Sequence, residues 1–196
     1  METIKTLIDE KTKDERNKEL ASEISTEYKD KNTVIVCILK GAVYFFTDLT
    51  RRLDIDCELD FMRISSYKGH KSTGKIDIKI DISSNIENRD VLIVEDVFDT
   101  GVTMVGLYNH LLEKHPKSIK LCVFLDKPEG RKVHDVSPDY IGFTIPKKFV
   151  IGYGLDDEEK YRNLPNVSCI TDESDEEIEK QRELIKRRAN KKNILH

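Results

Sequence analysis

The chain has 196 residues, of which 38% are hydrophobic and 36% are charged. This length fits one domain, or one domain with a small subdomain, and long apolar runs exclude disorder throughout the chain. The net charge of −4 gives no overall basic field that would attract nucleic acid.

The first predicted element is an amphipathic helix near the start of the chain. Apolar side chains recur every fourth residue from Leu20 to Tyr28, which predicts a helix over residues 12–28. Thr12 and Glu15 have the spacing of a capping box, so we expect the helix to begin there.

A buried strand and a second helix follow. Residues 33–39 form an apolar run rich in β-branched side chains, which is typical of a strand buried on both faces of a parallel sheet. Lys40 and Gly41 interrupt this run, and apolar residues then return with helical spacing between positions 42 and 53.

The middle of the chain changes character. Residues 58–65 resemble a strand, and isoleucine alternates with polar residues over 76–83, which predicts a strand with one solvated face. The polar segment 66–75 between them is longer than a hairpin needs, so we interpret it as a disordered or functional loop.

Alternation of strands and helices then resumes. This rhythm predicts an open α/β sheet, in which ligands bind beyond the carboxyl ends of the strands. The predicted elements are a strand at 91–94, a helix at 103–114, a strand at 119–125, and shorter strands at 140–143, 150–152 and 167–170.

The last stretch is highly charged, with seven acidic and seven basic residues over 172–193. Ser174 and Glu177 offer a capping box, and acidic residues precede basic ones, which favours a helix. We therefore predict a domain over 1–171 and a charged, helical, solvated tail over 172–196. A basic RNA-binding tail is the alternative, and the equal acidic charge weighs against it.

Cysteine usage and the absence of long apolar segments indicate the compartment. The four cysteines lie far apart without metal-binding spacing, which predicts reduced thiols in a reducing compartment. The N-terminus lacks an apolar signal region, and no apolar stretch reaches the roughly 20 residues of a membrane span. We expect a cytoplasmic protein that binds neither membrane nor nucleic acid.

The most informative stretch is 91–103, where a buried strand ends, a short loop follows and a helix begins. Unpaired backbone N–H groups at such a helix start form an anion-binding cradle, and hydroxyl groups add further donors. The residues that offer such donors are Thr100, Gly101, Val102 and Thr103.

Three acids accompany this predicted anion site: Glu95, Asp96 and Asp99. Helix capping would explain one acid, whereas sugar hydroxyls, a divalent cation and a proton to be abstracted would explain all three. Neither GxxxxGK[ST] nor GxGxxG occurs, which argues against ordinary NTPases and dinucleotide enzymes.

Two acids followed by Asp-Thr-Gly-x-Thr after an apolar strand resemble the PRPP-binding motif of type I phosphoribosyltransferases. The form Glu-Asp-x-x-Asp-Thr-Gly is closest to the hypoxanthine-guanine branch, and the resemblance extends over roughly 33–170. It implies an open, mostly parallel sheet flanked by helices, with a small hood formed by terminal segments. It also implies a Mg²⁺-dependent transfer that makes IMP or GMP from PRPP and hypoxanthine or guanine, by a homodimer or homotetramer.

The resemblance assigns the phosphate end of the site. PRPP would contact the segment from Glu95 to Thr103, that is Glu95, Asp96, Asp99, Thr100, Gly101, Val102 and Thr103. Val102 stands where some members carry lysine, and backbone donors should tolerate that change. Pyrophosphate would contact Leu39, Lys40, Gly41 and Arg162, with a cis peptide bond between Leu39 and Lys40. Ser66 and Tyr67 resemble the tip of a mobile lid.

The resemblance also assigns catalysis and base recognition. Asp99 would be the general base that accepts the N7 proton of the purine, unless it merely caps the helix. Lys127 would read the exocyclic O6, unless it is a surface lysine. Phe149 would stack on the purine, unless it belongs to the core, while the backbone of Val150 and Asp156 would read the purine edge.

The resemblance also assigns the metal-binding residues. Glu95 and Asp96 would hold the ribose hydroxyls and, through water, Mg²⁺, and the Asp156 side chain would hold Mg²⁺ together with pyrophosphate. The alternative for Asp156 is a plain solvated loop, because acidic residues follow it.

Two other functions remain open. One is a sister transferase for adenine, orotate or uracil; such relatives usually lack an aspartate at the Asp99 position, and adenine offers no O6 to Lys127. The other is an RNA-binding regulator of pyrimidine genes built on the same fold, which would need a basic face that the balanced charge does not provide.

Overall fold

The structure is a computed structural model that describes residues 3–66 and 76–192. Helices and strands alternate along most of the chain. The strands are β1 (Thr3–Ile8), β2 (Thr33–Leu39), β3 (Cys57–Ser66), β4 (Ile76–Ile80), β5 (Asp90–Phe98), β6 (Ser118–Asp126), β7 (Tyr140–Thr144) and β8 (Val167–Thr171). The helices are α1 (Glu10–Glu27), α2 (Val43–Thr50), α3 (Val102–Leu112) and α4 (Asp175–Lys192).

The main sheet has six strands in the order β4-β3-β2-β5-β6-β7. The pairs from β3 to β7 are parallel, and β4 pairs with β3 in the antiparallel direction at one edge. This arrangement confirms the predicted open, mostly parallel α/β sheet. Because the parallel strands end at the same edge, the loops after β2, β5 and β6 lie side by side.

Both faces of this sheet are buried, as the unbroken apolar run of β2 predicted. Ile35 and Cys37 pack in the core that α1 and α2 cover, and Val34 and Val36 pack in the core that α3 covers. All four side chains are fully buried. Complete burial of such a side chain stabilises the fold by about 1.5–3 kcal/mol.

The terminal segments form the predicted hood. β1 and β8 pair antiparallel in a separate two-stranded sheet. Helix α4 packs against β1 and β7, and its residues Ile178, Ile185 and Ala189 are buried in the same core as the main sheet. The tail is therefore helical as predicted, but the prediction of a fully solvated helix is wrong for this face. The boundary at 171/172 stays a prediction.

Two local predictions were wrong and one was right. Asp9, whose carboxylate accepts from Thr12 N at 2.8 Å, caps α1 in place of the predicted capping box at Thr12. Residues 150–152 form no strand, and only Ile151 and Gly152 take part in isolated bridges. The capping box of α4 is present, since Ser174 N donates to Glu177 Oε2 at 2.7 Å.

Within the described ranges, no helix is both long enough and apolar enough to cross a membrane.

Candidate active site

The phosphate loop joins β5 to α3 at the carboxyl edge of the sheet. Gly101 precedes α3 with a φ of 80°, in the left-handed region that favours glycine, and no side chain caps this helix start. Val102 N has only a long contact of 3.4 Å to Thr100 Oγ1. The backbone donors at this end are therefore available to an anion. They border a small cavity of about 140 Å³ that residues 95, 97–101, 103 and 104 line.

Helix capping does not explain the acids at this loop. Gly101 occupies the N-cap position of α3, so Glu95, Asp96 and Asp99 are not the capping residues. Thr103 lies in the first turn of α3, beside the same cavity.

Glu95 and Asp96 place two carboxylates side by side near the end of β5. Asp96 N donates to Glu95 Oε1 at 2.9 Å, and Val97 N donates to Asp96 Oδ1 at 2.6 Å. Burial and the adjacent Asp96 charge raise the pKa of Glu95 well above its usual value. Hydroxyl donors or a divalent cation at this position would relieve the repulsion between the two carboxylates.

Asp99 presents an unsatisfied acceptor. Its Oδ1 is buried and has no hydrogen-bond partner among the described residues. The same oxygen packs against Gly130, where an added Cβ would lie 1.5 Å from it. A buried acceptor without a donor is costly, so this geometry is suited to receiving a proton from a ligand.

Lys127 lies beside this acid. It is 9% exposed, which excludes the surface-lysine interpretation. Burial lowers the pKa of Lys127, and the charges of Asp99 and Asp96 oppose that shift. Its backbone N donates to Phe98 O at 2.9 Å, which ties the loop after β6 to the phosphate loop.

The loop after β2 contacts two other site loops. The peptide bond between Leu39 and Lys40 is cis, as the resemblance implied. An added Cβ on Gly41 would lie 1.5 Å from Asp96 Oδ2, and one on Gly154 would lie 1.9 Å from Gly41 O. The segments that contain Gly41, Asp96 and Gly154 are thus packed too closely for a side chain between them.

Lys40 and Arg162, the two cations predicted to contact pyrophosphate, converge on one carboxylate. Lys40 Nζ lies 2.7 Å from Glu159 Oε2, and Arg162 lies 3.3 Å from Glu159 Oε1. These two bonds lower the pKa of Glu159. The sequence analysis missed Glu159, because it belongs to an acidic run that resembles a solvated loop.

The Asp156 carboxylate also has two partners. Its Oδ1 lies 2.9 Å from Arg162, and its Oδ2 accepts from Glu159 N at 2.9 Å. Glu158, Glu159 and Lys160 of the same loop are exposed, so the solvated-loop interpretation stays open.

The acids predicted to bind Mg²⁺ lie in two segments of the chain. Asp156 lies in a different loop from Glu95 and Asp96, and the described residues contain no group of three potential metal ligands. Mg²⁺ usually keeps several waters and uses one or two carboxylates plus substrate phosphates. The adjacent carboxylates of Glu95 and Asp96 fit such an ion, with Asp156 outside the immediate pair.

The other predicted base-recognition residues, Phe149, Val150 and Asp156, lie in the segment after β7. Phe149 is 58% exposed, so its interpretation as a core residue is wrong, whereas Val150 is buried. Of the two residues predicted to belong to a lid, Ser66 ends β3, and Tyr67 lies outside the described residues.

A buried polar cluster that the sequence analysis missed supports the turn after Val150. Gly152, Tyr153 and Gly154 all have positive φ. Tyr153 OH donates to Asp48 Oδ2 at 2.6 Å and accepts from Asn17 Nδ2 at 3.0 Å. These contacts link the turn to α2 and α1. The sequence did not predict them, because Tyr153 lies far along the chain from both partners.

Comparisons with known proteins agree with this geometry. The phosphoribosyl transferase domain family matches residues 8–158. A hypoxanthine-guanine-xanthine phosphoribosyltransferase from Tritrichomonas foetus is 48% identical over 155 residues, 79% of this chain and 85% of that protein. A hypoxanthine-guanine phosphoribosyltransferase from Aquifex aeolicus is 47% identical over 171 residues, 86% of this chain and 96% of that protein.

A solved structure shows the same fold. The crystal structure of a hypoxanthine-guanine phosphoribosyltransferase from Bacillus anthracis with a HEPES molecule in its active site has a TM-score of 0.82 and 42% sequence identity. The match covers 85% of this chain and 98% of that one. The chain therefore belongs to the phosphoribosyl transferase family.

Proposed function

We propose that this phosphoribosyltransferase makes IMP or GMP and pyrophosphate from PRPP and hypoxanthine or guanine, as a purine-salvage enzyme. The observation that carries this proposal is the buried, unpartnered Oδ1 of Asp99 between the phosphate loop and Lys127. A 6-oxopurine offers this pair of residues a proton at N7 and an oxygen at C6.

The phosphate loop holds the sugar phosphate in this proposal. Backbone N–H groups over 100–103, with the hydroxyls of Thr100 and Thr103, bind the 5-phosphate. Glu95 and Asp96 accept hydrogen bonds from the ribose hydroxyls. Such fixed positioning supplies much of the rate acceleration in a displacement between two bound substrates.

At the reacting carbon, the bond from ribose C1 to pyrophosphate breaks and the bond to purine N9 forms. Asp99 accepts the N7 proton as N9 attacks. Backbone donors of residues 39–41 stabilise the departing pyrophosphate, and Lys40 and Arg162 turn to it from Glu159. Ser66 and Tyr67 are proposed as lid residues that help to exclude water from the reacting centre.

The base is held at its edge and on its face. Lys127 donates to O6, which selects 6-oxo over 6-amino purines. Phe149 stacks on the ring, and its exposure leaves that face open to a ligand. The backbone of Val150 and Asp156 reads the remaining edge.

Mg²⁺ is part of the proposal, and when bound it neutralises charge on the pyrophosphate group. Glu95 and Asp96 would hold it through water. The Asp156 side chain would hold Mg²⁺ together with pyrophosphate after leaving Arg162, which pyrophosphate binding would favour by drawing Arg162 away.

Assembly and location are further proposals. A homodimer or homotetramer is supported by three exposed apolar side chains on α2 and β3, namely Tyr44, Leu59 and Phe61. The four free thiols support a cytoplasmic location. The acidic net charge argues against nucleic acid as a partner.

A panel of bases tests the function. Purified protein with PRPP and Mg²⁺ should consume hypoxanthine and guanine and leave adenine unchanged, as followed by ultraviolet absorbance. Xanthine is included because a relative is named for it. Turnover of adenine alone would favour a sister transferase, and RNA retention on a filter without any turnover would favour the regulator.

Replacement of Lys127 by methionine separates base recognition from PRPP binding. Lys127→Met removes a charged donor to O6, so the KM for guanine should rise about tenfold to a hundredfold. The KM for PRPP should change less than about threefold, since Lys127 does not contact PRPP in this proposal. Steady-state kinetics measures both, with the exposed Lys132→Met as control. Equal losses for the two substrates would refute the assigned contact.

A further inference from the structure

The segment that carries Phe149 is attached at one end to β6 of the main sheet and at the other to β8 of the two-stranded sheet. Ile145 N donates to Asp126 O at 2.9 Å, and Ile151 N donates to Ser168 O at 2.8 Å. Between these points, Lys147 N donates to Glu129 Oε2 at 3.2 Å. The Lys148 side chain donates to Glu173 and Gln181. The Lys148 side chain is therefore one of the contacts that hold the segment next to Phe149.

Lys148 is held by two residues at the C-terminal end of the chain. Its ammonium donates to Glu173 Oε2 and, at 2.9 Å, to Gln181 Oε1. Gln181 Nε2 donates in turn to Glu173 Oε1 at 3.0 Å, which closes a ring of three side chains. The Lys148 side chain is 20% exposed and that of Glu173 is 31% exposed. Charge-assisted hydrogen bonds that are partly buried from solvent are stronger than those that are fully exposed.

Helix α4 gives this ring a fixed support. Gln181 lies on α4, whose residues Ile178 and Ile185 are buried in the main core. Arg182, next to Gln181, forms an ion pair of 3.0 Å with Asp9, the residue that caps α1. The family match ends at residue 158, before this helix begins.

We propose that Gln181 and Glu173 are positioning residues for the purine site, through which α4 holds Lys148 and orders Phe149 before the base arrives. The proposal rests on the function proposed above, in which Phe149 stacks on the purine. A segment that is already ordered loses less conformational entropy on binding, so the base binds more tightly. The function proposed above places PRPP against the phosphate and pyrophosphate loops and not against this ring, so the effect of the ring should be confined to base binding.

Steady-state kinetics of four full-length variants tests this positioning role. Gln181→Leu and Lys148→Met should each raise the KM for guanine about threefold to tenfold, the equivalent of one or two lost hydrogen bonds. The turnover number and the KM for PRPP should stay within about twofold, because only uniform binding of the base is weakened. Lys148→Arg keeps the donors and should restore the KM for guanine. Lys180→Leu, an exposed neighbour on α4, is the matched control and should match wild type.

The outcomes separate this inference from the function on which it rests. An unchanged KM for guanine in both Gln181→Leu and Lys148→Met, or an equal rise in the KM for PRPP, would overturn the positioning role. Failure of Lys148→Arg to restore guanine binding would overturn it as well. Absence of transfer by the wild-type protein would instead overturn the proposed function, and this inference with it.

Discussion

Replacement of Asp99 by asparagine should lower the turnover number with guanine about a hundredfold to ten-thousandfold, the usual contribution of a general base. The amide has the shape of the carboxylate, so it still fits against Gly130, but it cannot take the N7 proton. PRPP binding should change little, because the backbone of the phosphate loop is retained. The turnover number and the KM for PRPP are obtained from the same absorbance assay.

Asp135→Asn is the matched control, since Asp135 is exposed in the loop after β6. It should leave both constants at the wild-type value. If Asp99→Asn retained a turnover number within a few-fold of wild type, Asp99 would not be the base, and its unpartnered oxygen would need another explanation.

Replacement of Gly154 by alanine should damage both activity and stability. Gly154 has a φ of 99°, which L side chains rarely adopt, and the new Cβ would lie 1.9 Å from the backbone oxygen of Gly41. A backbone atom cannot rotate away, so the turn 152–154 and the pyrophosphate loop must separate. A shift of about 1 Å in a site can cost a hundredfold in rate, and the strained backbone adds roughly 1–3 kcal/mol of instability.

Activity and urea unfolding should be measured together on Gly154→Ala. Gly106→Ala, inside α3, is the matched control, because glycine to alanine in a helix interior usually gains up to about 1 kcal/mol. A Gly154→Ala protein with wild-type kcat/KM would show that the close contact between the two loops is not required.

The sequence predicted the elements whose signals are local. β2 was placed at residues 33–39 because its unbroken β-branched run has no helical alternative, and it is buried on both faces as expected. The phosphate loop was equally clear, since a strand end, a glycine and two threonines determine a turn without help from distant residues. The capping box of Ser174 and Glu177 also depends on neighbours only.

Features that depend on distant residues were missed or misplaced. The predicted strand at 150–152 fails because Gly152 begins a run of positive φ that Asn17 and Asp48 support from other helices. Glu159 pairs with Lys40, which is 119 positions away, as well as with the nearby Arg162. Residues near one another in sequence carry no record of such contacts.

The packing of the charged tail also depends on residues that are distant in sequence. Its few apolar residues and balanced charge favoured a solvated helix, yet Ile178, Ile185 and Ala189 suffice to bury one face. Spacings of seven and four residues keep these three on a single stripe of α4. The stripe was visible in the sequence, but the surface that receives it, on β1 and β7, was not.

The most direct test asks whether backbone N–H groups of the phosphate loop bind a sugar phosphate. Isothermal titration calorimetry should compare GMP with guanosine, at the same magnesium concentration, on the wild-type protein. Several charge-assisted hydrogen bonds to the phosphate should make GMP bind at least about tenfold more tightly. Equal affinity for the two ligands would contradict a phosphate site at the start of α3.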